Sequence, residues 1–209
     1  MTHPPLDHLV FVVPDLAAAM DALEGRLGVR AAPGGRHPAW STHNALFALG
    51  DGAYFEIIAP DPARPAPNLP RHFGLDHVEA PRLATWAVRA TPLESVVDRA
   101  QALGEPLGPV LSGGRKRSDG VELAWRLTDP AAAREGGVLP FFIDWGVSPH
   151  PSLDAPRGVS LRRLRAEHPD APRVRERLVQ LGLDLPVEPG PAPALIATLA
   201  TPRGEVELR

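Results

Sequence analysis

The 209-residue chain contains no cysteine, only one lysine and a single tyrosine, and aromatic residues make up 5% of it. The absence of cysteine excludes disulfides, thiol nucleophiles, cysteine-bound zinc and iron–sulfur clusters. Any metal in this protein must therefore be held by His, Asp and Glu side chains. The formal net charge of −3 gives no excess of positive charge, so we expect neither a nucleic acid nor an anionic membrane as a partner.

Long hydrophobic runs are also absent. The N-terminal segment MTHPPLDHLVFVVPDL has a short apolar stretch with no basic region before it, and this pattern predicts neither a signal peptide nor a transmembrane helix. We therefore expect a cytoplasmic location. Hydrophobic residues make up 44% of the chain and charged residues 22%, as in ordinary globular proteins. With 209 residues, the chain is also long enough to bury a substantial core.

Three repeats of one pattern, β-α-β-β, organise the chain. Each repeat begins with an apolar strand, continues with a helix that ends near a glycine, and closes with two more strands. We predict paired units at 6–60 and 83–146 within residues 1–150, and a third unit at 151–209 that packs on the same domain. The proline-rich stretch 60–81 joins the first two units. The predicted class is α+β, with curved mixed sheets around a cavity and the helices outside.

Element boundaries follow from hydrophobic periodicity and capping residues. Asp15 suits the N-cap of the first helix, and Gly28 suits its C-terminal end. The run Gly50-Asp51-Gly52 between two apolar segments predicts a β-hairpin. The predicted strands are 6–13, 43–49, 53–59, 83–90, 121–128, 138–146, 159–167, 193–200 and 204–209, and the predicted helices are 15–28, 92–104 and 171–183.

The segment AYFEIIAP (53–60) places one carboxylate, Glu56, among apolar residues. An unpaired buried carboxylate is costly, so Glu56 either pairs with an arginine of a neighbouring strand or faces a cavity where its charge is used. With Asp51-Gly52 as a two-residue turn, Phe47 lies opposite Glu56. The face of the hairpin that carries Glu56 would then be mostly apolar with a few polar groups, as in small-ligand sites. The residues that would share this face with Glu56 are His43, Ala45, Phe47, Tyr54 and Ile58.

The segments LDHLVFVVPDL (6–16) and YFEII (54–58), set in repeated β-α-β-β units, resemble the vicinal oxygen chelate superfamily. The stretch 37–62 is similar to the glyoxalase-like domain branch, and the likeness covers roughly residues 6–180. It implies lyase, isomerase or dioxygenase chemistry on a small molecule, in which a divalent metal (Zn, Ni, Mn or Fe) stabilises an enolate or a similar oxyanion. Many relatives pair their units across a homodimer, so the resemblance implies a homodimer here too.

In metal-using members of that superfamily, the ligands come from the first and last strands of each unit. Carried over to this chain, the resemblance implies His8 and Glu56 in the first unit and Asp144 in the second. The first-strand position of the second unit falls at Thr85 or Trp86, and neither is a histidine. The resulting hypothesis is a three-ligand site of His8, Glu56 and Asp144 with open positions for substrate. Glu56 is also the candidate base for proton transfer if the metal site is incomplete.

Structural roles compete with these assignments. His8 can be a core histidine bonded to a backbone carbonyl, and Asp144 can begin a turn at Trp145-Gly146. Asn44, at the mouth of the hairpin, can cap a turn or hydrogen-bond a substrate carbonyl or hydroxyl. The segment GGRKRSDG (113–120) begins with a pair of glycines followed by three basic residues, but its pattern favours a solvated turn over an anion-binding loop.

Functions from different classes remain open. The first is a glyoxalase-like enzyme whose small-molecule substrate is contacted by His43, Asn44, Phe47 and Tyr54. The second is a metal-free protein that binds a drug or metabolite, which the missing second-unit histidine and the tryptophan content favour. A third is an interaction module, which the absence of any concave pocket would support.

Overall fold

The computed structural model describes residues 6–209 with the exception of 67, 69, 118, 119 and 133. Each repeat has the order strand, helix, strand, strand, strand, which is one strand more than the sequence pattern predicted. The strands are β1 (Leu6–Val12), β2 (Ala32–His37), β3 (Thr42–Gly50), β4 (Ala53–Pro60), β5 (Arg82–Arg89), β6 (Val110–Lys116), β7 (Glu122–Thr128), β8 (Phe141–Asp144), β9 (Ser160–His168), β10 (Val187–Pro189), β11 (Ala194–Thr201) and β12 (Gly204–Leu208). The α-helices are α1 (Leu16–Leu27), α2 (Leu93–Ala102) and α3 (Ala171–Gln180).

The strand that the sequence pattern missed follows the helix in every repeat. The three missed strands, β2, β6 and β10, have the sequences APGGRH, VLSGGRK and VEP. Glycine and proline residues disfavour strand formation, so hydrophobic periodicity does not reveal these three strands. All three are edge strands, where such residues are tolerated because one side of the strand needs no ladder partner.

The first two repeats build one curved sheet in the order β2-β3-β4-β1-β5-β8-β7-β6. Within each repeat the first and last strands pair in parallel, and the two repeats join through the antiparallel pair β1 and β5. The curvature nearly closes the sheet, since Arg115 on edge strand β6 hydrogen-bonds the carbonyl of Gly34 on edge strand β2. The concave side therefore encloses a space between the two repeats.

The third repeat forms a separate sheet in the order β10-β9-β11-β12. Its first strand pairs antiparallel with β11 and parallel with β10, so it does not lie beside its last strand as in the other repeats. Residues of both sheets and of the three helices contribute to one hydrophobic core, including Leu23, Phe55, Leu178 and Leu195. The predicted α+β class is confirmed, with curved mixed sheets.

The predicted N-cap and C-terminal residues of the first helix are found at its two ends. The Asp15 side chain accepts a hydrogen bond from the Ala18 amide at 3.0 Å, and Gly28 ends α1 in the left-handed conformation with φ of +77°. A side chain at φ near +77° is strained, so glycine is the suitable residue at this end of the helix. None of the helices in the described residues is long and apolar enough to cross a membrane.

A second, smaller apolar cluster covers the concave face of the large sheet. Alternation along the strands places Val10 and Val12 of β1 with Tyr54 and Ile58 of β4 on this face. The second repeat contributes mostly aromatic residues to the same cluster: Trp125, Phe141 and Trp145. Any polar group on this face is surrounded by apolar side chains and shielded from solvent.

Candidate functional site

The concave face contains a cavity of about 40 Å³ between the first two repeats. Four residues predicted from the sequence line it together: His8, Asn44, Tyr54 and Glu56. Much of the remaining wall is aromatic, with Trp40, Phe73, Trp125, Phe141 and Trp145. The cavity is therefore a mostly apolar space with a few polar groups, which is the usual composition of a small-ligand site.

His8 is oriented by its neighbour in the chain, Asp7. The pairing of β1 with β5 shifts register between Leu6 and His8, and this bulge lets two consecutive side chains meet. His8 Nδ1 lies 2.7 Å from Asp7 Oδ1. A carboxylate can only accept, so Nδ1 carries the hydrogen and, in the neutral ring, Nε2 has the free lone pair. The ring also stacks on Tyr54, with 4.5 Å between centroids.

Asp7 is itself fully buried and receives hydrogen bonds from several donors. Trp145 Nε1 lies 3.0 Å from Oδ2, His150 Nε2 lies 3.0 Å from it, and Arg89 Nε lies 3.1 Å from it. Burial alone would raise the pKa of Asp7, but the hydrogen bonds from His150 and His8 outweigh burial and hold this pKa well below its usual range. Asp7 is therefore a fixed negative charge behind His8.

Glu56 faces His8 across the cavity. Asn44 Nδ2 donates to Glu56 Oε1 at 2.5 Å and holds the carboxylate in place. The other oxygen, Oε2, lies 3.8 Å from His8 Nε2, which is too long for a hydrogen bond. A carboxylate and an imidazole nitrogen thus face a common space, where a substrate atom beside the line that joins them can contact both.

A buried cation, Arg115, completes the polar groups of the cavity. Burial lowers the pKa of its guanidinium, and the nearby Tyr54 and Glu56 act in the opposite direction. Gly35 leaves the room for this side chain, since a Cβ there would lie 3.2 Å from Arg115 Nη1. Gly34 likewise leaves room for Asn44, because a Cβ there would lie 2.2 Å from Asn44 Oδ1.

Two other titratable groups of the cavity are held neutral. Burial lowers the pKa of His37 to about 4, and its Nδ1 lies 2.9 Å from Thr42 Oγ1. Burial, together with the negative charges of Glu56 and Asp7, raises the pKa of Tyr54 well above its usual value. Neither His37 nor Tyr54 therefore adds a charge to the cavity near neutral pH.

The predicted register of the β3–β4 hairpin is wrong by one residue. Gly50 faces Ala53 as expected, but a bulge between Ala48 and Gly50 sets Leu46 opposite Glu56. Gly50 has φ of +81°, and this left-handed glycine allows the bulge. His43 and Phe47 therefore lie on the opposite face of the sheet, where Phe47 stacks on Phe55 at 4.8 Å. The structure does not bring either residue to the cavity.

Asp144 does not join His8 and Glu56. It follows Ile143, which faces the cavity, so its own side chain points to the other side of the sheet. There it accepts hydrogen bonds from Thr91 Oγ1 at 3.1 Å and from the Gly146 amide at 3.0 Å. These contacts are those of a turn-stabilising residue, the structural alternative that the sequence had left open.

The ligand set for a divalent metal is therefore incomplete. Members of the vicinal oxygen chelate superfamily often hold such a metal, and protein metal sites generally use three or four side chains. Among the described residues, no three His, Asp or Glu side chains converge on one point. His8 Nε2 and Glu56 supply two donors, and the charge of Arg115 further disfavours a second cation. The residues present do not fit a resident metal.

Sequence reasoning missed three residues of the site: Asp7, His37 and Arg115. Asp7 stands beside His8, but no pattern in the chain reveals the bulge that turns both side chains to one side. Arg115 lies in the segment 113–120, for which a solvated turn was favoured. Residues up to Lys116 instead belong to β6, while positions 118 and 119 fall outside the described residues. The available signal was the repeated Gly-Gly-Arg at 34–36 and 113–115, at matching places in two repeats.

A family model and a solved structure agree with this architecture. A family model described as a glyoxalase-like domain matches residues 6–182. A hypothetical protein from Staphylococcus aureus has a similar structure, with a TM-score of 0.64 and 14% identity over 97% of this chain and 84% of that one. Methylmalonyl-CoA epimerase from Mycobacterium tuberculosis has a TM-score of 0.46 and 22% identity over 73% and 94% of the two chains. The comparison with curated proteins found no match.

Proposed function

The chain belongs to the glyoxalase-like domain family, and we propose that it is a small-molecule enzyme of the isomerase or lyase type. Its reaction is proton transfer at a carbon next to a carbonyl group. The observation that carries this proposal is the pair of facing groups, Glu56 Oε2 and His8 Nε2, 3.8 Å apart in a buried cavity. A dioxygenase is less well supported, because non-haem iron uses a complete set of two histidines and one carboxylate.

Each polar group has a role in this reaction. The Glu56 carboxylate accepts the proton as the C–H bond breaks, and the electron pair of that bond moves into the carbonyl to form an enolate oxygen. The positive charge of Arg115 stabilises this oxygen in a cavity from which water is largely excluded. The proton then returns from Glu56 to a neighbouring carbon or to the oxygen, either directly or through His8 Nε2.

The surrounding residues prepare this chemistry. Asn44 fixes one oxygen of Glu56, so that the other faces the substrate. Asp7 fixes the ring of His8 and would stabilise the imidazolium when Nε2 takes a proton, as a buried carboxylate does in other catalytic pairs. Holding the reacting groups in place in this way contributes to the rate, since little freedom is lost when the transition state forms.

The test is hydrogen–deuterium exchange at carbon. Four carbonyl compounds with exchangeable hydrogens, dihydroxyacetone, acetylacetone, pyruvate and S-propionyl-N-acetylcysteamine, would be incubated with the protein in D₂O and followed by proton NMR. We expect exchange of at least one compound, and a loss of about 100-fold or more in Glu56→Gln. Glu205→Gln, an exposed acid on β12, is the matched control and should exchange like the wild type. Exchange that survives Glu56→Gln, or no exchange with any of the four, would refute the proposal.

The aromatic wall favours a second candidate, a protein that binds a small ligand without turning it over. Aromatic side chains supply large contact areas at low entropic cost, and this cavity has five of them in addition to Tyr54. Saturation-transfer NMR on the same four compounds separates the two functions. Binding without exchange would support the ligand-binding protein, while exchange lost in Glu56→Gln would support the enzyme.

The metal hypothesis has its own measurement. Elemental mass spectrometry would be applied to protein purified without a His tag and without chelator, beside His8→Ala and Glu56→Ala. We expect no stoichiometric Zn, Ni, Mn or Fe in the wild type, because only two donors face each other. Near-stoichiometric metal that both substitutions remove would establish the metal-dependent enzyme instead.

A further inference from the structure

The cavity around Glu56 is too small to hold a whole substrate. Its volume of about 40 Å³ is far below the roughly 300 Å³ at which ordinary ligand pockets begin. A much larger cleft of about 880 Å³ adjoins it on the outside. Two residues, Phe73 and Pro130, line both spaces, so they form the partition between the cavity and the outer cleft.

The Phe73 half of this partition has an unfavourable backbone conformation. Phe73 has φ of +62° and is followed by Gly74 with φ of +71°. A residue with a side chain is strained in this left-handed region, so contacts elsewhere must hold it there. One contact is inside, where the ring packs near Phe141 at 5.9 Å. The other is outside, where Arg82 Nη2 donates to the Phe73 carbonyl at 3.0 Å.

The outer cleft has an apolar floor and, among the described residues, a cation that has no carboxylate partner. Proline, alanine and leucine side chains form much of its surface: Pro70, Ala84, Leu111, Pro130 and Pro193. Arg71 is occupied, since Nη1 lies 2.5 Å from Asp76 Oδ1 and Nε donates to the Ser41 carbonyl. Asp129 accepts from the Ala131 amide at 2.8 Å. Arg82 is exposed and has no carboxylate partner among the described residues.

His72 adds a second unsatisfied polar group to the same cleft. Its Nδ1 is buried without a hydrogen-bond partner, and its ring packs edge-on against Trp40 at 5.0 Å. A buried polar atom without a partner is uncommon in a native structure and often marks a place where a ligand or water completes the bond. Arg82, a donor, and His72, whose Nδ1 lacks a partner, thus both line the outer cleft.

We propose that the outer cleft is a binding subsite for an apolar or aromatic body that carries an acidic group, which Arg82 recognises. The proposal rests on the proposed function in one respect: the reacting carbonyl of the same molecule occupies the cavity around Glu56. The acidic group competes with the Phe73 carbonyl for Arg82. Its binding therefore removes the outer contact that holds Phe73, and the cavity and the cleft become continuous.

Another cavity was a candidate for this role. It lies between the two sheets, has a volume of about 280 Å³, and its lining includes Arg162, Asp51 and Asp184. Charges of both signs at one cavity do not select a class of ligand. Arg162 nevertheless provides a useful discriminating substitution.

The experiment uses two fluorescent probes that share one carbon skeleton and differ only in an acidic group. 1-Anilinonaphthalene-8-sulfonate is an acid, and N-phenyl-1-naphthylamine is the same structure without the sulfonate. Both would be titrated against wild-type protein, Arg82→Met and Arg203→Met, an exposed arginine outside the cleft that serves as the control. We expect Arg82→Met to weaken binding of the sulfonate about tenfold and to leave the neutral probe within twofold, as for loss of one charge-assisted hydrogen bond.

Three results keep the proposal falsifiable. Equal affinity of the sulfonate for Arg82→Met and wild type would overturn it, as would a loss seen only in Arg162→Met, which would put the probe between the sheets. Partial recovery in Arg82→Lys would support recognition of charge over a packing effect. Because neither probe exchanges a carbon-bound proton, sulfonate binding that survives Glu56→Gln tests the subsite independently of the proton-transfer proposal.

Discussion

Glu56 and Asp144 stand in similar sequence settings, each an acid near the end of an apolar last strand, yet they lie on opposite faces of one sheet. Glu56 shares its face with His8 and points into the cavity. Asp144 accepts from Thr91 and Gly146 on the other side, with Arg126 Nη2 at 3.6 Å. An acid within an apolar strand is therefore not by itself evidence of a site, because a shift of one residue along the strand reverses its face.

The two repeats contribute different kinds of residue to the cavity. The first repeat supplies His8 and Glu56, the groups for which we propose proton transfer. The second repeat supplies three of the five aromatic wall residues, Trp125, Phe141 and Trp145, and the cation Arg115 on its edge strand. Its own first-strand position holds Thr85 and Trp86 instead of an acid–base group, and Trp86 is buried with its Nε1 bonded to the Val138 carbonyl. The two repeats therefore contribute different groups to one asymmetric cavity.

The largest expected effect separates the two acids. Glu56→Gln should lower the rate of carbon-bound deuterium exchange by about 100-fold or more, because the base is lost. Asp144→Asn should leave that rate within about threefold, and it should cost less than about 1 kcal/mol of stability since an acceptor oxygen remains for Thr91 and Gly146. NMR exchange rates and urea unfolding measure the two quantities. Equal loss of exchange in both variants would remove the distinction between the faces.

The next effect tests whether Asp7 acts through His8. In Asp7→Asn, an amide replaces a carboxylate that accepts hydrogen bonds from four donors. We expect deuterium exchange about 10- to 100-fold slower and a free energy of unfolding about 3 kcal/mol lower. Nitrogen-15 NMR of the His8 ring provides a readout that a packing defect would not change in the same way. In the wild type the proton should be on Nδ1, and in the variant this tautomer should no longer dominate. An unchanged tautomer would show that Asp7 has only a structural role.

The strand faces of the site were predictable from the sequence, but the local departures from ideal strands were not. Alternation alone put His8 with Val10 and Val12 and put Glu56 with Tyr54, as observed. The hairpin register failed because Gly50 permits a bulge that the Asp51-Gly52 turn signal does not reveal. Residues on the wrong side of that bulge, His43 and Phe47, were assigned to the wrong face.

The contact between Arg115 and Gly34 could not be predicted from the sequence, for a different reason. Arg115 and Gly34 are brought together by the near closure of the sheet, which brings its two edge strands together. Closure depends on the accumulated twist of eight strands, and no local pattern encodes it. The edge strands were also hidden by their glycines, although the same glycines make room for the side chains of the cavity.

A smaller effect compares a histidine inside the cavity with one outside it. His37 has a pKa of about 4, below its ordinary 6.5, so its contribution to stability is complete above pH 6.5 and is lost as the pH falls toward 4. Between pH 6.5 and pH 5 this amounts to about 2 kcal/mol. His37→Gln should therefore flatten the loss of stability measured by urea unfolding at pH 7, 6 and 5. His43→Gln, on the outer face and half-buried, should flatten it less, and a reversed order would contradict the burial of His37.

The smallest expected effect contrasts two glycines of the first repeat. Gly34→Ala would place a Cβ 2.2 Å from Asn44 Oδ1, so Asn44 must move away from Glu56. We expect a cost of about 1 kcal/mol in unfolding free energy, typical of overpacking, together with slower deuterium exchange. Gly25→Ala in α1 meets no atom within 4 Å and should instead stabilise the helix by about 0.5–1 kcal/mol without changing exchange. If Gly34→Ala left both stability and exchange at wild-type values, Asn44 would not depend on the glycine beside it. Its hydrogen bond to Glu56 would then be a replaceable contact, and the edge strand would have no part in positioning the base.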